Sequence, residues 1–278
     1  MILLTQNPRL LTPPCLAGAR IIPAIHDLKI KCPFASLPET IETRVITFMN
    51  TAILLSGGIG SRLLSDIPKQ YIRVNGRRLI TYALEILVKS SDIDEIQIVA
   101  ETDWQDAILT DAREHQVSTE KLKGFALPGS NRQGSILNGM QEILRRGEAE
   151  AVLIHDAARP LLSQKLISDC FKALKGHDGV MPVLPMKDTV YFSEDGKAVS
   201  SLLPRERVFA GQAPEVFLLQ KYYQANMALT KEELSAVNGS TEPAILAGLD
   251  IVMIPGEEQN FKVTTSADLE RFRGIVGG

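Results

Sequence analysis

The sequence predicts an α/β fold: a mostly parallel sheet with helices on both faces and a projecting β-hairpin arm. Three observations carry this. From residue 51 onward, apolar runs of strand length alternate with amphipathic stretches of helix length, the pattern of parallel strands joined by helical crossovers. Polar, glycine-bearing clusters fall where those runs end, and open α/β sheets bind ligands beyond the carboxyl ends of their strands. Past residue 187 the rhythm gives way to two short alternating runs around a polar turn.

The strand-like runs are 51–55, 95–100, 151–155 and 179–185. They are close to continuously apolar, as strands covered on both faces must be. The stretches 79–90, 104–115, 133–146 and 164–175 repeat apolar residues at helical spacing. The arm, about 187–205, has strands at 188–192 and 198–202 around Ser193-Glu194-Asp195-Gly196-Lys197. Such an arm packs on a second subunit or folds as a flap on its own domain. Residues 1–48 differ: they hold six of the fifteen prolines, which break helices and interrupt strands. They read as a poorly ordered extension, and 49–278 as one domain with Met49 just ahead of its first strand.

Composition excludes several classes. Thirty Lys and Arg against 33 Asp and Glu leave a net charge of −3, so no bulk pull toward nucleic acid or an anionic membrane is expected. No apolar run approaches the roughly 20 residues that span a bilayer. Cys15, Cys32 and Cys170 form neither a C-x-x-C nor an even set, which suits a reducing, cytoplasmic setting. Cys170 reads as a small hydrophobe on a helix.

The strongest local signal is Ser56-Gly57-Gly58-Ile59-Gly60-Ser61-Arg62, followed by Pro68-Lys69-Gln70. Glycines let the backbone bend and bring bare amides against an anion, and Arg62 and Lys69 add charge where a polyphosphate would sit. It is neither a Walker loop nor a complete dinucleotide fingerprint, since the third glycine is missing. In Pro128-Gly129-Ser130-Asn131-Arg132-Gln133-Gly134-Ser135, Ser135 can meet a base or ribose and Arg132 a phosphate, or the segment is a turn capping a helix. In His155-Asp156-Ala157-Ala158-Arg159-Pro160, Asp156 at a strand end can hold Mg²⁺ on a triphosphate. Arg159 pairs with it or reaches a substrate, and His155 reads as structural. Lys262 is expected to project from a short strand at 260–264 into the cleft, with Ser266 capping a final helix. No Ser-His-Asp set, C-x-x-C or H-E-x-x-H is present, so separated cations suited to phosphoryl chemistry are what the chain offers.

These motifs, in this order, resemble the 2-C-methyl-D-erythritol 4-phosphate cytidylyltransferases and the related ribitol-5-phosphate cytidylyltransferases. The matching residues are 57–62, 68–71, 132–135, 155–160, Asp188-Thr189, Gln212-x-Pro214 and Asn260-Phe261-Lys262-Val263-Thr264. The resemblance implies a Rossmann-like nucleotidyltransferase joining CTP and a polyol phosphate, with Mg²⁺, to give a CDP-polyol and pyrophosphate in isoprenoid precursor synthesis. It implies catalytic roles for Arg62, Lys69 and Lys262, and nucleotide contacts from Ser56, Gly57, Gly58, Gly60, Ser135 and Asp156, with Asp156 also at the metal. Arg159 would bind the acceptor, joined by Thr189 and Arg205 across a homodimer interface.

The chain departs from the family where the acceptor would bind. Gly211-Gln212-Ala213-Pro214-Glu215 replaces a Q-T-P-Q stretch, Asn238-Gly239-Ser240-Thr241-Glu242-Pro243 replaces a Thr-Asp-Asp/Glu-Ala segment, and the basic residue often found after Asp188-Thr189 is lacking. Methylerythritol phosphate is the expected acceptor and ribitol 5-phosphate the alternative. An NAD-dependent oxidoreductase on a similar sheet competes, with Glu101 its best ribose-binding acid, as does a catalytically silent nucleotide-binding scaffold. Removing residues 1–48 is expected to leave turnover and melting temperature nearly unchanged; a large loss of either in the truncated protein refutes the two-part division.

Overall fold

The computed structural model describes residues 49–58, 67–147 and 149–277. The expected N-terminal extension, Gly60 and Arg62 lie outside the described residues. In chain order the first half runs β1 (Asn50–Leu55), a short 3-10 turn (Lys69–Tyr71), β2 (Arg73–Val74), β3 (Arg77–Arg78), α1 (Leu79–Lys89), β4 (Glu95–Val99), α2 (Thr102–Glu114), β5 (Leu122–Ala126), α3 (Arg132–Arg146) and β6 (Ala151–Asp156). The second half runs α4 (Gln164–Ala173), β7 (Gly179–Pro185), β8 (Val190–Phe192), β9 (Ser201–Leu203), β10 (Phe209–Gly211), β11 (Glu215–Leu218), α5 (Leu219–Met227), α6 (Lys231–Ala236), α7 (Glu242–Leu246), β12 (Ile251–Pro255) and α8 (Ser266–Val276).

The main sheet is built on parallel pairs: β6 with β1, β1 with β4, β4 with β5, and β12 with β7. One strand reverses the pattern. β11 lies antiparallel between β6 and β7, and β10 continues beside β7, with Gly211 opposite Val183 and Val216 opposite Val180. The chain bends out of the sheet at 212–214 between those two pieces. The expected mostly parallel sheet is therefore present with an antiparallel insertion.

Side chains alternate across the strands, and both faces are covered. Leu54, Ile98, Leu153 and Val216 pack on one face against Ile80 and Leu84 of α1 and Leu166 and Cys170 of α4. Ile53, Val152, Ile154 and Phe217 pack on the other against Ile136 and Met140 of α3 and Tyr222 of α5. Cys170 is fully buried on its helix, as expected. The arm is a separate two-stranded pair, β8 with β9, its strands beginning two to three residues later than the apolar pattern predicts. Among the described residues no helix is long and apolar enough to cross a membrane.

Two local expectations are corrected. Residues 260–264 form no strand. One main-chain bond, Val263 N–H to Ala158 O at 2.8 Å, ties the segment to the turn after β6. Thr265, not Ser266, caps α8: its hydroxyl accepts from Asp268 N while Asp268 accepts from Thr265 N, a reciprocal capping box.

Asp111 of α2 anchors the β2–β3 hairpin to this framework. Its carboxylate is fully buried and accepts from Thr81 Oγ1 at 2.6 Å, Arg78 N at 3.0 Å and the Arg78 guanidinium at 2.8 Å, with Arg73 also 2.8 Å away. Glu114 and His115 lie close enough to complete a three-ligand metal group, but these donors and cations already satisfy Asp111. Burial pushes its carboxyl up, and the hydrogen bonds and two arginines outweigh that and hold it below its ordinary value. Such a group stabilises the fold fully above the ordinary carboxylate range, and that contribution is lost as pH falls toward the folded-state value. Asp111→Ala is expected to destabilise the protein by about 3–5 kcal/mol in denaturant unfolding at neutral pH, because two cations lose a buried partner. The variant should also lose less stability than the wild type between about pH 5 and 3.

Candidate active site

β1 and β6 are central and parallel, with Leu55 opposite Asp156, so their carboxyl ends open side by side. Beyond β1, Ser56 donates from both its amide (2.9 Å) and its hydroxyl (2.8 Å) to Val99 O, which prolongs the strand by one residue. Gly57 follows, with the ring of Pro128 so close that a Cβ would sit 2.4 Å from it. Gly58 faces open space. Gln70 and Tyr71, on the turn that also carries Lys69, donate to Ser56 O at 2.5 and 3.0 Å, and Gln70 also donates to Gly58 O at 2.8 Å.

The start of α3 approaches from the side. Asn131 caps the helix by accepting from Gly134 N at 2.7 Å, so the capping alternative for this segment holds. The Ser135 hydroxyl donates to Asn131 O at 2.9 Å and accepts from Gly129 N at 3.0 Å. It borders the cavity, yet its hydroxyl is engaged in holding the 129–135 loop. Gly129 is required there, since a Cβ would lie 2.4 Å from Gly134 C.

These elements converge on Asp156, the last residue of β6. Arg132 Nε donates to its Oδ1 at 3.1 Å, Lys262 Nζ to its Oδ2 at 2.9 Å, and Arg159 Nε stands 3.7 Å from Oδ2. Lys262 arrives from 106 residues downstream because its segment is tied to the turn after β6 twice, by Val263 N to Ala158 O and by Arg159 Nη1 to Asn260 O at 2.7 Å. Burial pushes the Asp156 carboxyl up, but Arg132, Lys262 and Arg159 prevail and hold it far below the usual carboxylate range. For Arg132, burial favours the neutral form, while Asp156 and Glu215 restore and strengthen its charge. His155 is pushed down to about 4, chiefly by burial, with its Nε2 3.0 Å from Arg159 O. It is a neutral structural histidine, as the sequence suggested.

Two cavities meet at this cluster. The first, about 460 Å³, is bordered by Ser56, Gly57, Gly58, Lys69, Ser135 and Glu101. The second, about 440 Å³, is bordered by Arg159, Gln212, Glu215, Ser240 and Thr241. Arg132, Asp156 and Lys262 border both. Lys69, Lys262, Asp156 and the glycine turn are thus brought together, with Arg159 on the adjoining side. Thr189 and Arg205 are not: both are exposed on the arm and border neither cavity, and the Arg205 guanidinium donates to Lys187 O at 2.8 Å.

Sequence reasoning gave no role to Glu215. Its carboxylate accepts from the hydroxyls of Ser240 and Thr241, the latter at 2.9 Å, and lies 3.7 Å from the Arg132 guanidinium. The signal was available, because residues 211–215 and 238–243 are two of the three places that depart from the family pattern, and they contact each other. Chemically, the arrangement offers two adjoining spaces with a cationic wall between them. No serine, cysteine or histidine stands poised as a nucleophile among the described residues, so the wall suits a reaction between two bound anions.

Comparison with known proteins agrees with this geometry. The sequence profile described as 2-C-methyl-D-erythritol 4-phosphate cytidylyltransferase matches residues 50–277. A protein of that description from Thermotoga neapolitana is 34% identical over 228 residues, covering 82% of this chain and 97% of its own length. A ribitol-5-phosphate cytidylyltransferase from Streptococcus agalactiae is 28% identical, covering 82% of this chain and 95% of its own. The fold matches the crystal structure of 4-diphosphocytidyl-2C-methyl-D-erythritol synthase from Anaerococcus prevotii with a TM-score of 0.70 at 24% identity, over 83% of this chain and 97% of that one. The chain with this glycine turn and cationic wall belongs to the 2-C-methyl-D-erythritol 4-phosphate cytidylyltransferase family.

Proposed function

We propose that this protein transfers the cytidylyl group of CTP to 2-C-methyl-D-erythritol 4-phosphate, releasing pyrophosphate and the CDP-polyol, a step of isoprenoid precursor synthesis. The observation that carries the reading is the shared wall: Arg132 and Lys262, gathered on Asp156, border both cavities. CTP occupies the first cavity, its phosphates over the glycine turn and Lys69. The acceptor occupies the second, its phosphate against Arg159 and Lys262. An acceptor phosphate oxygen attacks the α-phosphorus in line, the new P–O bond forms, and the bond to the departing pyrophosphate breaks. Lys69 and Lys262 offset the charge that grows on the α-phosphoryl oxygens, and two anions that repel each other in water are held at reacting distance.

Asp156 suits a Mg²⁺ carried mainly by the triphosphate, because such ions take one or two carboxylates and leave the remaining positions to phosphate and water. Among the described residues its two oxygens bear single close donors from Arg132 and Lys262, which leaves each a lone pair toward an ion. Bound there, the ion would screen the β- and γ-phosphates as they leave.

The acceptor assignment rests on the family description and on the closer match to the methylerythritol-phosphate relative, 34% against 28% for the ribitol-phosphate one. A homodimer completes the reading. The arm exposes Tyr191, Phe192, Val199 and Leu202, at 48–68% of their surfaces, an apolar face that water does not favour. Packed on a second copy, that face would carry Thr189 and Arg205 toward the partner's second cavity.

Pyrophosphate release from CTP, measured with 2-C-methyl-D-erythritol 4-phosphate and ribitol 5-phosphate in parallel, tests the reading. Turnover with the first acceptor supports it; turnover with ribitol 5-phosphate alone replaces the acceptor. NADH binding without CTP turnover removes the reading. Lys69→Ala and Lys262→Ala are each expected to lower kcat by about 10²–10³-fold with the fold intact, the usual cost of one lost charged donor at a transition state. Arg62→Ala, at a position outside the described residues, is expected to do the same. Arg205→Ala should raise KM for the acceptor several-fold and leave KM for CTP in place, and it should do so only where size measurements find a dimer.

A further inference from the structure

Lys69 is one residue from a side chain that the chemistry above does not use. Gln70 is 3% exposed, and its amide lies under the glycine turn rather than against the core. A primary amide has two donor hydrogens, and both are engaged, by Ser56 O at 2.5 Å and Gly58 O at 2.8 Å. Ser56 O also accepts from the Tyr71 hydroxyl at 3.0 Å, and the Tyr71 ring stacks on Trp104 at 4.1 Å between centroids. The donors to this turn are themselves buried and packed, so the turn is held from beneath.

A peptide unit is planar and trans, so its carbonyl and the following N–H point opposite ways. Fixing Ser56 O on Gln70 and Tyr71 therefore turns the Gly57 N–H to the far side. Among the described residues that N–H meets no protein acceptor. Gly57 borders the first cavity.

We propose that Gln70 is a positioning residue for the nucleotide: by holding the Ser56 and Gly58 carbonyls, it presents the Gly57 N–H to an oxygen of CTP. Without Gln70 only the Tyr71 hydroxyl is left on Ser56 O and the Gly58 carbonyl loses its side-chain donor, so the peptides of the turn rotate more easily and can bring a carbonyl oxygen toward the triphosphate, replacing attraction with repulsion. The 3-10 turn Lys69–Tyr71 then has two duties, delivering a cation and orienting a backbone donor, in one rigid piece.

The inference rests on CTP occupying the first cavity, and its test separates the two claims. Gln70→Glu keeps the shape but sets a carboxylate against two carbonyls; Gln70→Ala removes the amide. CTP binding by calorimetry and the KM values of both substrates are measured on the full chain, with circular dichroism as the fold control. Both variants are expected to weaken CTP binding about tenfold or more, with KM for the acceptor within about twofold of wild type. Tyr71→Phe, which removes one of the donors to Ser56 O, is expected to give a smaller change in the same direction. CTP binding unchanged in a folded Gln70→Glu or Gln70→Ala overturns the proposal, as does an equal rise in both KM values, which marks general loosening. Should neither Gln70 variant fold, Tyr71→Phe decides: CTP binding at the wild-type level refutes, and selective weakening supports. Wild-type protein that fails to bind CTP refutes the nucleotide assignment itself.

Discussion

One buried carboxylate organises this molecule. Asp156 ends the central strand β6 and gathers Arg132 from the start of α3, Arg159 from its own turn, and Lys262 from the far end of the chain. Buried charges persist only when paired, and here each partner is a poor candidate for burial alone. Asp156 and Glu215 set two negative charges against the three positive ones of Arg132, Arg159 and Lys262, which leaves a surplus of one. The cluster is thus stable as a unit and remains attractive to anions, which is what a site for two phosphorylated substrates requires.

The antiparallel strand gives that surplus two faces. An all-parallel sheet would place the carboxyl end of another parallel strand beside that of β6. Instead β11 lies there and carries Glu215 to the edge of the second cavity, opposite Ile154 in β6. Glu215 then receives the hydroxyls of Ser240 and Thr241 and stands 3.7 Å from Nη2 of the same Arg132 guanidinium whose Nε binds Asp156. The first cavity is built differently, from backbone. Its floor is a glycine turn pressed against Pro128 and held by Gln70 and Tyr71. Side-chain charge on one side and oriented peptide groups on the other suit an acceptor phosphate and a nucleotide respectively.

Much of this was legible in residue order. The four apolar runs became β1, β4, β6 and β7, and the helical stretches became α1 to α4, because apolar runs of strand length and 3.6-residue periodicity have few other outcomes in a packed α/β sheet. Other elements gave weaker signals. β5 contains Gly124 at φ 142° and pairs across a register shift, so its pattern is broken. Val74-Asn75-Gly76-Arg77 is a plain hairpin signal that the longer rhythm masked; Asn75 and Gly76 both have positive φ, as a two-residue hairpin turn demands. The strand expected around Lys262 does not form: among the described residues the segment forms no ladder and is tied instead to the turn after β6 by Val263 N to Ala158 O.

By itself the sequence determined the α/β alternation, the glycine turn and the cations that serve it, since those follow from local period, backbone freedom and charge. Lys69, Lys262, Asp156 and Arg159 could be named from it because they fall in short motifs whose order along the chain resembles that of the family. Only the tertiary structure decided which charges share a partner, that Ser135 and Ser56 spend their hydroxyls on the backbone, and that Gln70 and Glu215 belong to the site. Those facts depend on distances between segments far apart along the chain. They are settled when the strands pack side by side, and no local pattern encodes them.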